Sequence, residues 1–303
     1  MAAPRIGLAL GSGSARGWAH IGVLRELKER GLAPDIVAGA SVGALVGAAY
    51  ASDQLDALET WVRDLGPVDV VRLFDATLDR GGMMSGDRLM RRIREILVDH
   101  EIEELAVPFA AVATRLETGQ EVWLRSGSML HAVRASSGLP GLFTPVWHEG
   151  HWLIDGGVVN SVPVSVCRAL GADYVVGVNL NRHLRTWPKV GRRRAPPPLE
   201  EGNSSWSGRL ASLLPSLTSG RGPEPGVFEV VGASISIMQD RIMRSRMVGD
   251  PPDVVLDVEL GDLDLWDFHR AEEAIAAGVQ AAAAASGELE RLKAAARPAI
   301  DEG

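Results

Sequence analysis

Several things are scarce in this 303-residue chain, and each scarcity excludes something. There is one cysteine, Cys167, so no intramolecular disulfide forms and no cysteine-built zinc or iron–sulfur site exists. No apolar core follows a basic start in Met1-Ala-Ala-Pro-Arg-Ile-Gly-Leu8, so no secretory signal is read there. Long hydrophobic runs are missing too. The longest uncharged stretch, Ile36 to Ser52, has 17 residues and is dominated by Gly and Ala. Gly39, Gly43 and Gly47 recur in it at a spacing of four, as in membrane helix dimers. A buried strand-turn-helix is the better reading of so short a segment. Positive charge is not in excess either. The net charge of −8 argues against nucleic acid as a partner.

What is present suffices for a large core: 46% hydrophobic residues with 23% charged describe an ordinary globular protein, expected to be cytoplasmic. The length allows one large α/β domain or two domains of ~150 residues. Arg5-Ile-Gly-Leu-Ala-Leu10 reads as a buried strand, followed by the loop Gly11-Ser-Gly-Ser-Ala-Arg-Gly17. Ile21, Leu24 and Leu27 then line one face of an amphipathic helix that Gly31 ends. Asp35 to Ala38 is a second strand and Val42 to Tyr50 a second helix, a βαβα start that indicates a parallel sheet. Further on, a helix capped at Ser85, strands over Pro108–Thr114, Glu121–Leu124, Trp152–Ile154 and Tyr174–Leu180, and a helix over Val164–Leu170 are expected. After the middle of the chain come a helix around 228–242, a strand at Val254–Val258 and a long helix from Leu265 to about Ala285.

Composition changes at Arg182. Residues 182–221 hold eight Lys/Arg against two Glu, and seven of the 17 prolines lie between Pro188 and Pro225. The expected organisation is a core over 1–181, a Pro/Arg-rich insertion or linker over 182–226, and elements over 227–303 that complete the same domain.

Three patterns carry chemistry. Gly39-Ala-Ser41-Val-Gly43 is a G-x-S-x-G sequence placed where a strand turns into a helix, the context in which Ser41 would be an exposed nucleophile. A tight turn with an incidental serine is the plain alternative. The loop Gly11 to Gly17 also joins a strand to a helix, and its amides suit an oxyanion. The same loop also fits a plain turn or a dinucleotide fingerprint, but the latter wants an acidic residue at the end of the second strand, where Ser41 stands instead. Asp155-Gly-Gly157 after a strand brings a carboxylate close to another loop, or is simply a common Asp-Gly turn.

Taken in order, Ser12-Gly-Ser-Ala-Arg-Gly17, Gly39 to Gly43 and Asp155-Gly-Gly157 resemble the signature of the bacterial patatin-like phospholipase family. Ala135-Ser-Ser-Gly-Leu-Pro140, running to Phe143-Thr-Pro145, is similar to the family's intervening segment. The resemblance spans about Ile6 to Leu180. It implies a three-layer α/β fold with a mainly parallel central sheet and helices on both faces. It also implies a serine acyl hydrolase of lipid esters using a Ser41–Asp155 dyad, with no histidine, metal or cofactor. Backbone amides of Gly13 and Ser14 would form the oxyanion hole, supported by Arg16, Gly17, Gly39, Gly43, Gly156 and Gly157. One departure is visible: plant-type members carry three consecutive glycines where this chain has Ser12, Gly13 and Ser14.

Two other function classes stay open: a non-catalytic lipid- or protein-binding regulator on the same scaffold, and a dinucleotide-binding protein. A Ser-Asp-His triad would have to use His183 or His269, the histidines after Asp155, and neither has a motif. His20 reads as packed near the oxyanion loop, and His131, His148 and His151 lack metal-ligand context. Residues 182–217 combine a basic run with Trp206, Leu210, Leu213, Leu214 and Leu217 at helical spacing, a candidate peripheral contact with a membrane surface or a solvated linker.

Overall fold

The computed structural model describes residues 3–73, 85–181 and 227–296. Eight strands form one sheet: β1 (Ile6–Leu10), β2 (Ile36–Ala40), β3 (Phe109–Arg115), β4 (Glu121–Leu124), β5 (Val146–His148), β6 (His151–Asp155), β7 (Tyr174–Asn179) and β8 (Val254–Asp257). The helices are α1 (Ala19–Glu29), α2 (Val42–Ala51), α3 (Leu55–Arg63), α4 (Pro67–Leu73), α5 (Asp87–Ile96), α6 (Met129–Ser136), α7 (Val164–Ala169), α8 (Val227–Gly249), α9 (Ala271–Ala284) and α10 (Ser286–Ala296). The strand order is β5-β6-β3-β2-β1-β7-β8, with β4 also paired to β3. Strands β3, β2, β1, β7 and β8 run parallel, while β4 and the β5–β6 hairpin are antiparallel additions.

Alternation along the strands separates the two faces. Leu8, Leu10, Val37, Ala111, Ala113, Val176 and Val178 pack into the larger core with α1, α2, α6 and α9. Ala9, Ala38, Ala40, Ala110 and Val112 face the opposite side, where α7 and the end of α8 cover them through Val166, Cys167 and Met243. The result is the expected three-layer α/β sandwich. A fully buried leucine such as Leu8 or Leu10 contributes roughly 1.5–3 kcal/mol.

Helices α1 and α9 cross with their backbones in contact. A Cβ on Gly22 would stand 1.9 Å from Ile275 O, and one on Gly278 would stand 1.9 Å from Ala19 O. Only glycine permits that approach. Together with β8, which adds to the sheet beside β7, this crossing fastens the C-terminal third to the first helix.

Two sequence expectations are corrected. The helix expected from Leu265 begins only at Ala271, and Ser286 opens a separate helix. Residues before Ala271 are held in turns by two local bonds, Leu265 N to Asp264 Oδ1 and Asp264 N to Asp267 Oδ2, and by a distant one, Trp18 Nε1 to Phe268 O. Likewise, α5 starts at Asp87 after Gly86, with Ser85 Oγ accepting from Asp87 N, and ends at Ile96. Helices α3, α4 and α6 and strand β5 were not anticipated. The insertion 182–226, with its proposed lipid-facing residues and His183, lies outside the described residues. Among the described residues no helix is long and apolar enough to cross a membrane.

Candidate active site

Strand register brings the first two candidate residues together. Strand β2 runs along β3 as far as Ala40↔Val112, and β6 comes the other way as far as Asp155↔Ala113. Strand β4 pairs with both Val112 and Ala113 from the opposite edge, so β2 and β6 lie on the same edge of β3, end to end. Ser41, the residue after β2, therefore meets Asp155, the last of β6.

Ser41 has φ 58° and ψ −125°, a left-handed backbone that costs a non-glycine residue about 1–3 kcal/mol. The neighbours hold it there. A Cβ on Gly39 would lie 2.3 Å from Gly43 O, and one on Gly43 would lie 2.3 Å from Leu10 O. Both glycines of the motif are thus required by close backbone approach. The Ser41 amide donates to Ser136 Oγ (2.9 Å), and Ser136 Oγ donates to Val112 O (2.6 Å). Helix α2 then starts at Val42, with its N-terminus directed at the serine.

Asp155 is fully buried. Its Oδ1 accepts from Gly157 N at 2.8 Å, and its carbonyl accepts from Thr114 Oγ1 at 2.8 Å. Burial pushes its carboxyl up to about 6, while the adjacent Ser41 hydroxyl and the Gly157 amide act in the opposite direction. The Ser41 contact is a near approach rather than a formed hydrogen bond, because Oδ2 has no hydrogen-bond partner. A Cβ on Gly156 would lie 2.0 Å from Val112 O, and one on Gly157 would lie 2.8 Å from Ser12 Cβ. These glycines let the aspartate turn press against β3 and the Gly11–Gly17 loop.

In that loop the Ser12 amide donates to Ser161 O (2.8 Å), the Ala15 amide to Leu265 O (3.1 Å) and the Arg16 amide to Gly13 O (3.2 Å). The Gly13 and Ser14 amides have no such partner among the described residues. Ser14 is left-handed at φ 52°. Gly17 brings the loop onto α2, since a Cβ there would lie 2.0 Å from Val42 Cγ1. Arg16 is buried, donates to Asn181 Oδ1 (3.0 Å) and Gly13 O (3.4 Å), and is lowered to about 10 by burial, with Asp264 offsetting part of it. His20 is buried with Nε2 donating to Gly11 O at 2.7 Å. Burial lowers it to about 4, so it is neutral and fixes the start of the loop.

A cleft with about 1010 Å³ of open space, mouth included, reaches Ser41, Ser12 and Ser14. Its walls are apolar: Trp18, Leu45, Trp61, Met90, Ile93, Leu139, Phe143, Ile235 and Phe268 contribute. Arg134 is the single charged residue among the described lining.

The Patatin family model, described as patatin-like phospholipase, matches residues 8–168. The chain belongs to the patatin-like phospholipase family. An NTE family protein of Mycobacterium tuberculosis is 30% identical over 333 aligned positions, 91% of this chain and 89% of that protein. A patatin-like phospholipase domain-containing protein of Caenorhabditis elegans is 36% identical over 182 positions, 58% of this chain and 13% of its own length. Human patatin-like phospholipase domain-containing protein 6 is 34% identical over the same shares.

The patatin-like match ends before α8, yet that helix sends Ile235, Ser236 and Gln239 into the cleft wall. Ser136, Gln239 and Arg134 are the polar residues that sequence reasoning missed. Ser136 lies inside the quoted Ala135–Pro140 segment, which is the signal that points to it. His269 is exposed on the turn before α9 and does not line the cleft. His131 and His148 contact each other (3.2 Å). Among the described residues no group of three or more His, Cys, Asp or Glu is arranged to hold a metal ion.

Proposed function

We propose that this protein is a serine acyl hydrolase of lipid esters working through a Ser41–Asp155 dyad. The observation that carries the reading is the buried Asp155 beside Ser41, its Oδ2 unpartnered, with Ser41 itself lining an apolar cleft. Ser41 Oγ attacks the acyl carbonyl and passes its proton to Oδ2. The oxyanion is taken by the Gly13 and Ser14 amides and the positive end of α2. As the intermediate collapses, the leaving alcohol takes the proton from Asp155 and an acyl-enzyme remains. Water then attacks with Asp155 again as base, releasing the fatty acid. Desolvation answers the weakness of a carboxylate as a base, since its raised pKa lies nearer neutrality. A fluorophosphonate probe should label the parent chain at Ser41 and leave Ser41→Ala unlabelled; labelling elsewhere, or none, would remove this reading.

The pH dependence has a definite sign. Activity requires ionised Asp155, so kcat/KM should fall as pH drops through about 6. For stability, Asp155 has a folded pKa raised above its ordinary value of 3.8, so the fold binds the extra proton between these values and its contribution is lost as pH rises from about 4 to about 6. His20 is opposite: lowered from 6.5 to about 4, it adds stability as pH rises through that window. The two offset each other. Activity should therefore vary steeply between pH 5 and 7 while the melting temperature stays nearly level; a parallel fall of both would show that acid inactivation is unfolding.

Arg134 supports an anionic head group. Its Nη2 donates to Ser85 O (2.7 Å) and Thr144 O (2.9 Å), but Nη1 is buried without a hydrogen-bond partner; among the described residues Asp87 acts on the guanidinium through its charge, without a close ion pair. Arg134→Gln should lower the ratio of kcat/KM for a lysophospholipid to that for a monoacylglycerol of equal chain length by about tenfold. An unchanged ratio would assign Arg134 to holding the two loops alone. Contact with a membrane surface through residues 182–217 belongs to the same proposal, because lipid esters reach Ser41 from an interface.

A further inference from the structure

The loop holding Gly13 and Ser14 is gripped from far along the chain. Three hydrogen bonds close a ring: the Ser12 amide donates to Ser161 O (2.8 Å), Ser161 Oγ to Gln239 O (3.1 Å), and Gln239 Nε2 to Ser12 Oγ (3.0 Å). All three residues are buried. The ring joins the loop to the segment after Asp155-Gly-Gly157 and to helix α8. Gly157 lies within it, since a Cβ there would meet Gln239 Nε2 at 2.5 Å as well as Ser12. A second grip is independent of the first. Ser14 Oγ donates to Leu265 O at 2.7 Å, and the same carbonyl accepts from the Ala15 amide.

The two gripping side chains are Ser12 and Ser14, which stand where the plant-type loop carries glycine. A glycine there has no side chain to be held. Here each hydroxyl is used, and each partner lies more than two hundred residues away. Either end of the Gln239 amide bonds to Ser12 Oγ, because a hydroxyl both donates and accepts.

We propose that Gln239 is a positioning residue for the oxyanion loop: through Ser12 it fixes the Gly13 and Ser14 amides over Ser41, with the Leu265 carbonyl as the second anchor. This rests on the hydrolase reading above. Oxyanion donors act on charge that develops in the transition state, so their displacement lowers turnover rather than substrate binding. Ser236, one turn earlier on α8, also lines the cleft but bonds nothing, and it takes no part in the grip.

The test uses the full chain and a soluble short-chain nitrophenyl ester, which removes any dependence on a lipid surface. Gln239→Met and Ser12→Ala should each lower kcat about tenfold with KM within twofold. The double variant should be no more than twofold worse than the poorer single, because both remove one interaction. Multiplied losses, a rise in KM alone, or an unchanged kcat in folded variants would overturn the proposal. Hydrogen exchange of the Gly11–Trp18 peptide gives a readout independent of hydrolysis: Gln239→Met should speed exchange about tenfold, and parental protection would reject the grip. Ser12→Ala, which removes a single oxygen, carries the same exchange test if Gln239→Met does not fold. Absence of ester hydrolysis by the parent would remove the hydrolase reading, and exchange would still decide whether Gln239 holds the loop.

Discussion

Ser41→Ala and Asp155→Asn should each leave at most about one part in 10³ of the ester-hydrolysing activity, in proteins expected to melt within a few degrees of the parent. On the proposed mechanism, removing Ser41 ends acyl-enzyme formation. Removing the carboxylate leaves the serine proton without an acceptor, since no described histidine lines the cleft to replace it. Losses on this scale are expected for groups that act as a unit, and the double variant should be no worse than the poorer single. Steady-state hydrolysis of a soluble ester checks it, with burst kinetics to separate acylation from release. Retention of more than a few per cent by either variant sinks the dyad. His183→Ala and His269→Ala serve as the comparison and should keep most activity; a 10³-fold loss in a folded form of either would point to a triad.

Gly156→Ala is expected to damage both fold and catalysis. Its new Cβ would lie 2.0 Å from Val112 O and 2.6 Å from the Val112 carbonyl carbon. Those are backbone atoms of a central strand, which cannot move aside as a flexible side chain does. The Asp155 turn must lift from β3, and Oδ2 leaves its place beside Ser41. Overpacking of this kind costs about 3 kcal/mol. The accompanying loss of turnover should be about 10²-fold, as for other ångström-scale misplacements at a reacting centre. Denaturant melts and kcat together check it. Gly287→Ala is the matched control: nothing lies within 4 Å of its Cβ, it is in helix α10, and it should be neutral or stabilising by up to about 1 kcal/mol. Equal stability of the two variants would contradict the packing argument.

What could be read from sequence was what is encoded locally. The β1-loop-α1 and β2-Ser41-α2 units each contain their own strand pattern, glycines and helix face within some 25 residues. Asp155-Gly-Gly157 was readable as a turn, but its proximity to Ser41 comes from β6 adding antiparallel to the end of β3, and nothing in five residues announces that register. Ser136, Gln239 and Leu265 act on the site across separations of 95, 227 and 251 residues. No periodicity reports such contacts. Helix α6 did leave a local sign, since Ser128 caps it by accepting from His131 N, but the apolar pattern of Met129–Ser136 is too short to stand out alone. The helix expected from Leu265 failed for the reverse reason. Its propensity was good, but Asp264, Asp267 and Arg270 satisfied one another locally, and the Leu265 carbonyl was drawn to Ser14.

The close backbone crossing of α1 and α9, Gly22 against Ile275 and Gly278 against Ala19, has a bearing on the order in which the molecule is built. A ribosome delivers Ser41 and Asp155 long before it delivers the helix that locks onto α1. Until then strand β7 lacks its outer neighbour β8, and the loop beside Ser41 lacks both of its distant anchors. Joining residue 12 to residue 239 closes a long stretch of chain at once, an entropic cost that falls late and slows folding. The proposed nucleophile, Ser41, is therefore made early, and its surroundings are completed last. On the proposed hydrolase reading, a nascent chain that already carries every motif residue still lacks the finished site with which to cleave an ester.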